Sequence, residues 1–375
     1  MKQYACFKNL KKYLDGLVEE GHVPGLDCVV SKNHEILFRY YTGFRDLENK
    51  KPMTGEEQFI IFSMTKMLTC VCALQLFEKG YYRMNDPVYK YLPEFRKMKI
   101  KDEGYAKNPI TIRNLFTMTA GLDYDLRSPG ILKALNKGET STRELVAAMA
   151  EKELCFEPGS GYCYSLCHDV LGALIEVWSG MRYGEYMRKY ILQPLGMNHT
   201  FFCVPEKYES IDNMMARYTF NEKGLPERLP LECVYVLSDN YESGGAGLVS
   251  TTEDYAVFLD ALASGGIAKN GNRILQPSTV QLMSTNHLSG HALEMFDQMR
   301  KGYGYGLGVR THLDPERSGS LSPVGEFGWD GAAGAFSMVD VQNGISLTFF
   351  QQIHNWKIEI QNEMRNALYS DLKQW

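Results

Sequence analysis

Ser63 and Lys66 stand three residues apart at the head of FSMTKMLTCVCALQLFEKG, residues 62–80, a stretch that is otherwise almost wholly apolar. On a helix, positions three apart are neighbours, with Cβ atoms about 5–6 Å apart, so hydroxyl and amine can touch. Met67, Leu68, Val71, Cys72, Leu74, Leu76 and Phe77 leave this helix little polar face, which predicts burial nearly all round. A buried lysine is tolerated only when paired, neutralised or facing a wet cleft. There its amine becomes a base near neutral pH and can activate a neighbouring hydroxyl as a nucleophile. At a helix start the Ser63 backbone N–H is also an unpaired donor, open to an oxyanion. Chance supplies roughly one Ser-x-x-Lys in a chain of this composition, and a second copy does occur, Ser370 to Lys373. That copy lies among polar residues and reads as a solvated helix face.

A Ser-Lys pair needs a third group to carry a proton to the leaving atom, and a tyrosine phenol beside an ammonium is a natural candidate, its pKa lowered by the charge. Tyr164, in EPGSGYCYS (157–165), follows a Pro-Gly turn and precedes a helical pattern from Asp169, although the chain holds 23 tyrosines. Two spacings invite a metal reading: Cys163, Cys167 and His168, and His287, His291 and Glu294. The first has no second pair to complete four ligands, and the second has a Leu-Ser-Gly spacer that reads as loop, so no metal or other cofactor is expected. No Gly-x-Ser-x-Gly elbow occurs, which disfavours the α/β-hydrolase architecture.

The elements that must position these residues fall in a simple order. The segment 22–44 alternates short apolar runs around Lys32-Asn33-His34, a hairpin pattern. Helical signals dominate from Ser63 to about Tyr190: 63–80, 112–119, 142–154, 169–179 and 183–192, punctuated by Gly or Pro. A glycine turn, Ser243 to Thr252, leads into a capped helix over 253–264. Strands are predicted at 305–311, 326–329, 334–340 and 345–351, and a last helix at 358–372. The reading is an α/β (α+β) chain: residues 1–80 and 245–375 form one α/β domain, 81–244 form an inserted, mainly helical one, and the site lies at their junction.

The 375 residues suffice for a sizeable core, and 44% hydrophobic with 23% charged residues is ordinary for a globular protein. A net charge of -5 gives no electrostatic reason to expect nucleic acid or an anionic membrane as partner. The N-terminal stretch lacks the continuous apolar core of a signal peptide, and the longest apolar run, Met67 to Phe77, is too short to span a bilayer. Nine cysteines without framework spacing suit reduced thiols. The expectation is a cytoplasmic protein; its oligomeric state is left open.

Taken in order, several segments together resemble the serine β-lactamase and penicillin-binding-protein superfamily, in its class C-like branch, and most of all its family VIII carboxylesterases. They are Val23-Pro24-Gly25, Ser63 to Lys66, Asn85 to Val88, Tyr91 to Phe95, Ile110 to Leu122, Pro158 to Ser165, Gly244 to Thr251 and Gly328 to Gly334. The resemblance implies an antiparallel sheet flanked by helices, Ser63 as the acylated serine, Lys66 as the lysine sharing its proton, and Tyr164 as base and then acid. The third motif, usually Lys-Thr-Gly, falls on Trp329-Asp330-Gly331, and the oxyanion donors it implies are the backbone N–H groups of Ser63 and Ala332.

Two departures bear on substrate. The second motif reads Tyr164-Ser165-Leu166 rather than ending in Asn, and Trp329 replaces a cation that would meet a carboxylate. Both favour a less anionic acyl donor, and an indole can pack on an apolar acyl or alcohol group. Asp330 would repel anionic substrates or favour a hydrogen-bond donor; Tyr124 is a further candidate wall of the cleft. The expected activity is hydrolysis of small or apolar carboxylic esters, with acyl transfer to a hydroxyl or amine as the alternative. Weak β-lactamase or peptidase activity is less expected, and a non-catalytic binding role least.

Overall fold

In the computed structural model, residues 7–372 are described. Eight antiparallel strands form the sheet, in the spatial order Tyr303–Tyr305, Arg310–His312, Phe327–Gly328, Phe336–Asp340, Ile345–Phe350, Gly25–Lys32, Glu35–Asp46 and Lys51–Pro52. N-terminal and C-terminal strands meet where Gly25–Lys32 pairs with Ile345–Phe350, from Asp27 opposite Phe350 to Lys32 opposite Ile345. The predicted hairpin is present, turning through Asn33 and His34 at φ 48° and 68°. Both residues adopt the left-handed conformation that a tight hairpin turn needs.

Alternate residues of the central strands feed two cores. Val30, Met338 and Leu347 face the terminal helices Lys8–Glu19 and Glu359–Leu372, meeting Leu10, Leu14 and Leu368. Asp371 fastens these helices together, its carboxylate accepting from the backbone N–H groups of Asn9 (3.1 Å) and Leu10 (2.9 Å) in the first turn of the other helix. An anion suits that position because first-turn donors lack intrahelical partners. On the opposite face, Val339 and Phe350 pack with Leu259 and Leu262 of Thr252–Ala263.

The helix Thr65–Glu78 runs through this second core, buried from Thr65 to Leu76, against Cys167–Ser179. The architecture is thus the expected one: an antiparallel sheet flanked by helices, with most helices in the middle of the chain. Three local expectations differ. The stretch 305–311 is two strands joined by Gly306-Leu307-Gly308, because Gly308 (φ 84°) turns the chain. Helices Pro277–Ser284 and Gly290–Met299 stand in the last third of the chain, where the sequence pattern predicts mainly strands. Ser63 lies in a 3₁₀ turn, Phe62–Met64, ahead of the α-helix rather than inside it. Among the described residues, no helix is long and apolar enough to cross a membrane.

Candidate active site

Two short strands aim the Ser63 turn. Phe59–Ile60 pairs with Leu248–Ser250, and the N–H of Ile61 continues the ladder to the Leu248 carbonyl (3.1 Å). The chain then turns sharply at Phe62, a buried residue at φ 46° wedged against Tyr235 and His354. A bulky residue in the left-handed region is a strained conformation, held by its packing. Tyr255 donates to the Met64 carbonyl (2.9 Å), and Thr65 Oγ1 accepts from the Leu248 N–H (3.2 Å). Ser63 is left half-exposed on the floor of a cleft.

Lys66 is completely buried. Its amine donates to Ser63 Oγ (3.3 Å), the Tyr124 hydroxyl (3.1 Å) and the Gly245 carbonyl (2.7 Å). Burial pushes its pKa down to about 8, opposed chiefly by the charge of Asp169. A lysine near 8 holds a useful fraction of free amine at neutral pH.

Tyr164 stacks between Tyr124 (ring centroids 5.6 Å) and Trp329 (5.5 Å), with the Lys66 amine 4.6 Å from its ring centre. Its hydroxyl is hydrogen-bonded with Ser63 and accepts from the Trp329 indole N–H (3.2 Å). Burial pushes the phenol pKa up, against these two hydrogen bonds, so the lowered phenol expected from a nearby ammonium is not what the site provides. Tyr164 is a proton donor at neutral pH, and Lys66 is the better base.

The Trp329–Ala332 segment borders the same cleft. The Gly331 N–H donates to the Ala335 carbonyl (2.8 Å), closing a turn, whereas the Ala332 N–H meets no acceptor among the described residues. Asp330 is not a bare carboxylate. Arg300 pairs with its Oδ2 at 2.5 Å and Gln361 donates to the same oxygen at 3.0 Å. Burial raises its pKa, but Arg300, Arg310 and Gln361 outweigh that, so Asp330 is an anion whose charge Arg300 offsets. The expected repulsion of anionic substrates is weakened accordingly. Leu166, at the usual Asn position, is buried in the core.

The cleft encloses about 290 Å³, and Tyr162, Tyr235, Phe296 and Trp356 add to its aromatic wall. A larger groove of about 1190 Å³ lies between the terminal helices and has no Ser, Thr or Cys in its lining.

The two metal-like spacings go elsewhere. Ser165 donates to Cys167 Sγ (3.1 Å), while His168 packs on Cys70 (3.7 Å) with its pKa pushed down to about 3 by burial and then by Lys66. His287 approaches the Leu282 carbonyl (2.9 Å), and His291 sits at the surface beside Glu294 (3.6 Å). Among the described residues, no group of three or more His, Cys, Asp or Glu could hold a metal. In the second Ser-x-x-Lys, Ser370 is on the last helix and Lys373 lies outside the described residues.

Sequence reasoning missed Arg300, Gln361, Asp169 and Tyr235. Nothing in local spacing marks them; only Asp169, a carboxylate in the apolar helix Cys167–Ser179, carried a signal of its own.

A family model described as Beta-lactamase matches residues 10–369. The chain is 28% identical over 360 residues to Esterase EstB of Burkholderia gladioli, covering 90% of this chain and 88% of that protein. It is 27% identical over 311 residues to Acyltransferase mokF of Monascus pilosus, covering 78% and 73%. Among solved structures, EstCE1, described as a hydrolase with promiscuous acyltransferase activity, superposes with a TM-score of 0.83 at 26% identity, covering 98% of this chain and 99% of that one. With the family model spanning nearly the whole chain and the fold matched end to end, this protein belongs to the beta-lactamase family.

Proposed function

We propose that the protein is a serine hydrolase of the family VIII carboxylesterase type, acting in the cytoplasm on esters of small or apolar acyl groups through an acyl-enzyme on Ser63. The observation that carries this reading is the fully buried Lys66 amine 3.3 Å from Ser63 Oγ, on the floor of a cleft walled by aromatic rings.

Lys66 takes the Ser63 proton as Oγ attacks the ester carbonyl carbon. The oxyanion is held by the Ser63 and Ala332 N–H groups. As the ester C–O bond breaks, Tyr164 gives its proton to the leaving alkoxide, and the proton on Lys66 passes to the Tyr164 oxygen, restoring the phenol and the free amine. Water then attacks the acyl carbon, its proton passing to Lys66 and from there to Ser63 Oγ as the acyl–Oγ bond breaks, which frees Ser63 and the carboxylic acid. Trp329, Tyr124 and the other rings contact the apolar parts of the substrate.

A second reading is acyl transfer, in which an alcohol or amine replaces water in the last step. The promiscuous acyltransferase activity of EstCE1 and the similarity to Acyltransferase mokF favour it, as does an aromatic cleft that would hold an organic acceptor better than water. Both are tested with p-nitrophenyl esters of two to eight carbons, nitrocefin, and added primary alcohols, against Ser63→Ala. Ester turnover lost in the variant, with little nitrocefin cleavage, supports the hydrolase; a new ester in the presence of alcohol supports transfer; turnover retained in Ser63→Ala overturns both.

A further inference from the structure

We infer that Asp169 is a positioning residue that acts through Lys66: it is the buried counter-charge that holds the lysine's proton balance, with Gly245 as the spacer between them. The inference rests on the proposed Ser63–Lys66 chemistry and adds a residue to it.

Asp169 is 1% exposed. Its Oδ1 accepts from Tyr241 (2.7 Å), Ser243 (2.7 Å) and, more weakly, the Gly245 N–H (3.4 Å). Its Oδ2 has no hydrogen-bond partner among the described residues. An unpaired carboxylate oxygen is costly in such a place unless a charge answers it. Among the described residues, no Lys, Arg or His lies within ion-pair contact of Asp169, and Lys66 likewise has no carboxylate in direct contact.

Gly245 stands between the two groups. A Cβ there would lie 2.6 Å from Asp169 Oδ2, 3.2 Å from Lys66 Nζ and 3.0 Å from the Tyr124 hydroxyl. The sum of the first two distances bounds the carboxylate-to-ammonium separation at about 6 Å, within the range where an opposite charge favours the ionised form. Only a residue without a Cβ leaves that path open. Gly245 also touches both partners directly, its carbonyl accepting a hydrogen bond from the Lys66 amine and its N–H pointing at Asp169.

The other titratable groups facing Lys66 do not supply this charge. Cys70 on its own helix and Cys167 on the neighbouring one are buried thiols held neutral, their pKa values pushed up chiefly by burial. His168 is neutral, and the phenols of Tyr124 and Tyr164 are raised by burial. Asp330 is already answered by Arg300. Asp169 is therefore the carboxylate that keeps the lysine from falling too far, held in place by the Tyr241 and Ser243 hydroxyls.

The experiment follows the rate of Ser63 labelling by a fluorophosphonate as a function of pH in wild type, Asp169→Asn and Asp169→Ser. Asn keeps the size and the Oδ1 acceptor, and Ser leaves room for a water on Tyr241 and Ser243; both remove the charge. The labelling inflection is expected to move down by about one pH unit or more in both. An inflection that stays in place overturns the inference. Ser63→Ala separates the two failures, since labelling that persists there sinks the Ser63 reading itself. Should the single variants fold poorly, melting temperatures in a Lys66→Met background decide: adding Asp169→Asn raises the melting temperature if the two charges answer each other, and lowers it there too if Asp169 merely fastens the 241–245 loop.

Discussion

The Trp329 indole N–H donates to the Tyr164 hydroxyl over 3.2 Å, and the two rings stack with centroids 5.5 Å apart. The tryptophan in the third motif, where the resemblance to β-lactamases would imply a lysine, is thus more than an apolar wall. It supplies a neutral donor to the phenol oxygen in place of a cation. Trp329→Phe keeps the ring and removes the donor, so kcat for a neutral ester is expected to fall about tenfold, the worth of one such hydrogen bond, with little change in KM. Trp329→Lys is expected to gain nitrocefin cleavage and lose apolar esters. Steady-state kinetics on both substrates check the pair.

The pH dependence follows from Lys66. Its ordinary pKa of 10.5 is brought down to about 8 by burial, and the free amine is the form that accepts the Ser63 proton. Activity is therefore expected to rise with pH through an inflection near 8, the protonated lysine being inactive below it. Lys66→Ala removes the base and is expected to cost about 10²–10⁴ in kcat at pH 8. A flat profile from pH 6 to 9 would contradict the assignment.

Asp330 and Arg300 govern charge in the cleft together. Because Arg300 offsets Asp330, replacing the carboxylate by Asn leaves an unanswered guanidinium facing substrate. Asp330→Asn is expected to lower KM for esters bearing a terminal carboxylate several-fold, about the effect of one exposed charge, with neutral esters little changed. Arg300→Gln is expected to do the reverse. Paired KM values for a neutral ester and a half-ester of a dicarboxylic acid make the test.

The helix carrying Lys66 is pinned against the sheet edge at one tight point. A Cβ on Gly308, at φ 84°, would lie 2.2 Å from Cys70 Sγ, one turn beyond Lys66. Gly308→Ala is expected to destabilise the fold by about 2–4 kcal/mol through overpacking and left-handed strain. Adding Cys70→Ala should return part of that, which thermal or urea unfolding of the single and double variants measures.

How much of this is legible in the chain depends on range. Ser63 and Lys66 announce themselves because one helical turn links them and the apolar residues after them demand an explanation for the amine. Tyr164 needs the family pattern to stand out from the other tyrosines. The partners that tune the site come from far along the chain: Lys66 and Gly245 are 179 residues apart, Tyr164 and Trp329 are 165 apart, and neither helix nor strand spacing relates them. The same holds for the fold. The hairpin at 25–46 follows from local turn chemistry, while Gly306-Leu307-Gly308 reads as strand until the Cys70 contact shows why a glycine turn sits there. The direction of the Tyr164 shift was illegible for the same reason, since burial by Tyr124 and Trp329 outweighs the hydrogen bonds that would lower it.

The central claim is that acyl groups pass through Ser63, and intact-mass spectrometry of the protein quenched in acid during turnover of p-nitrophenyl butyrate tests it most directly. The account predicts a single butyryl adduct that maps to the peptide containing Ser63 and is absent from Ser63→Ala. An adduct that survives in Ser63→Ala, or ester turnover undiminished by that substitution, would contradict it.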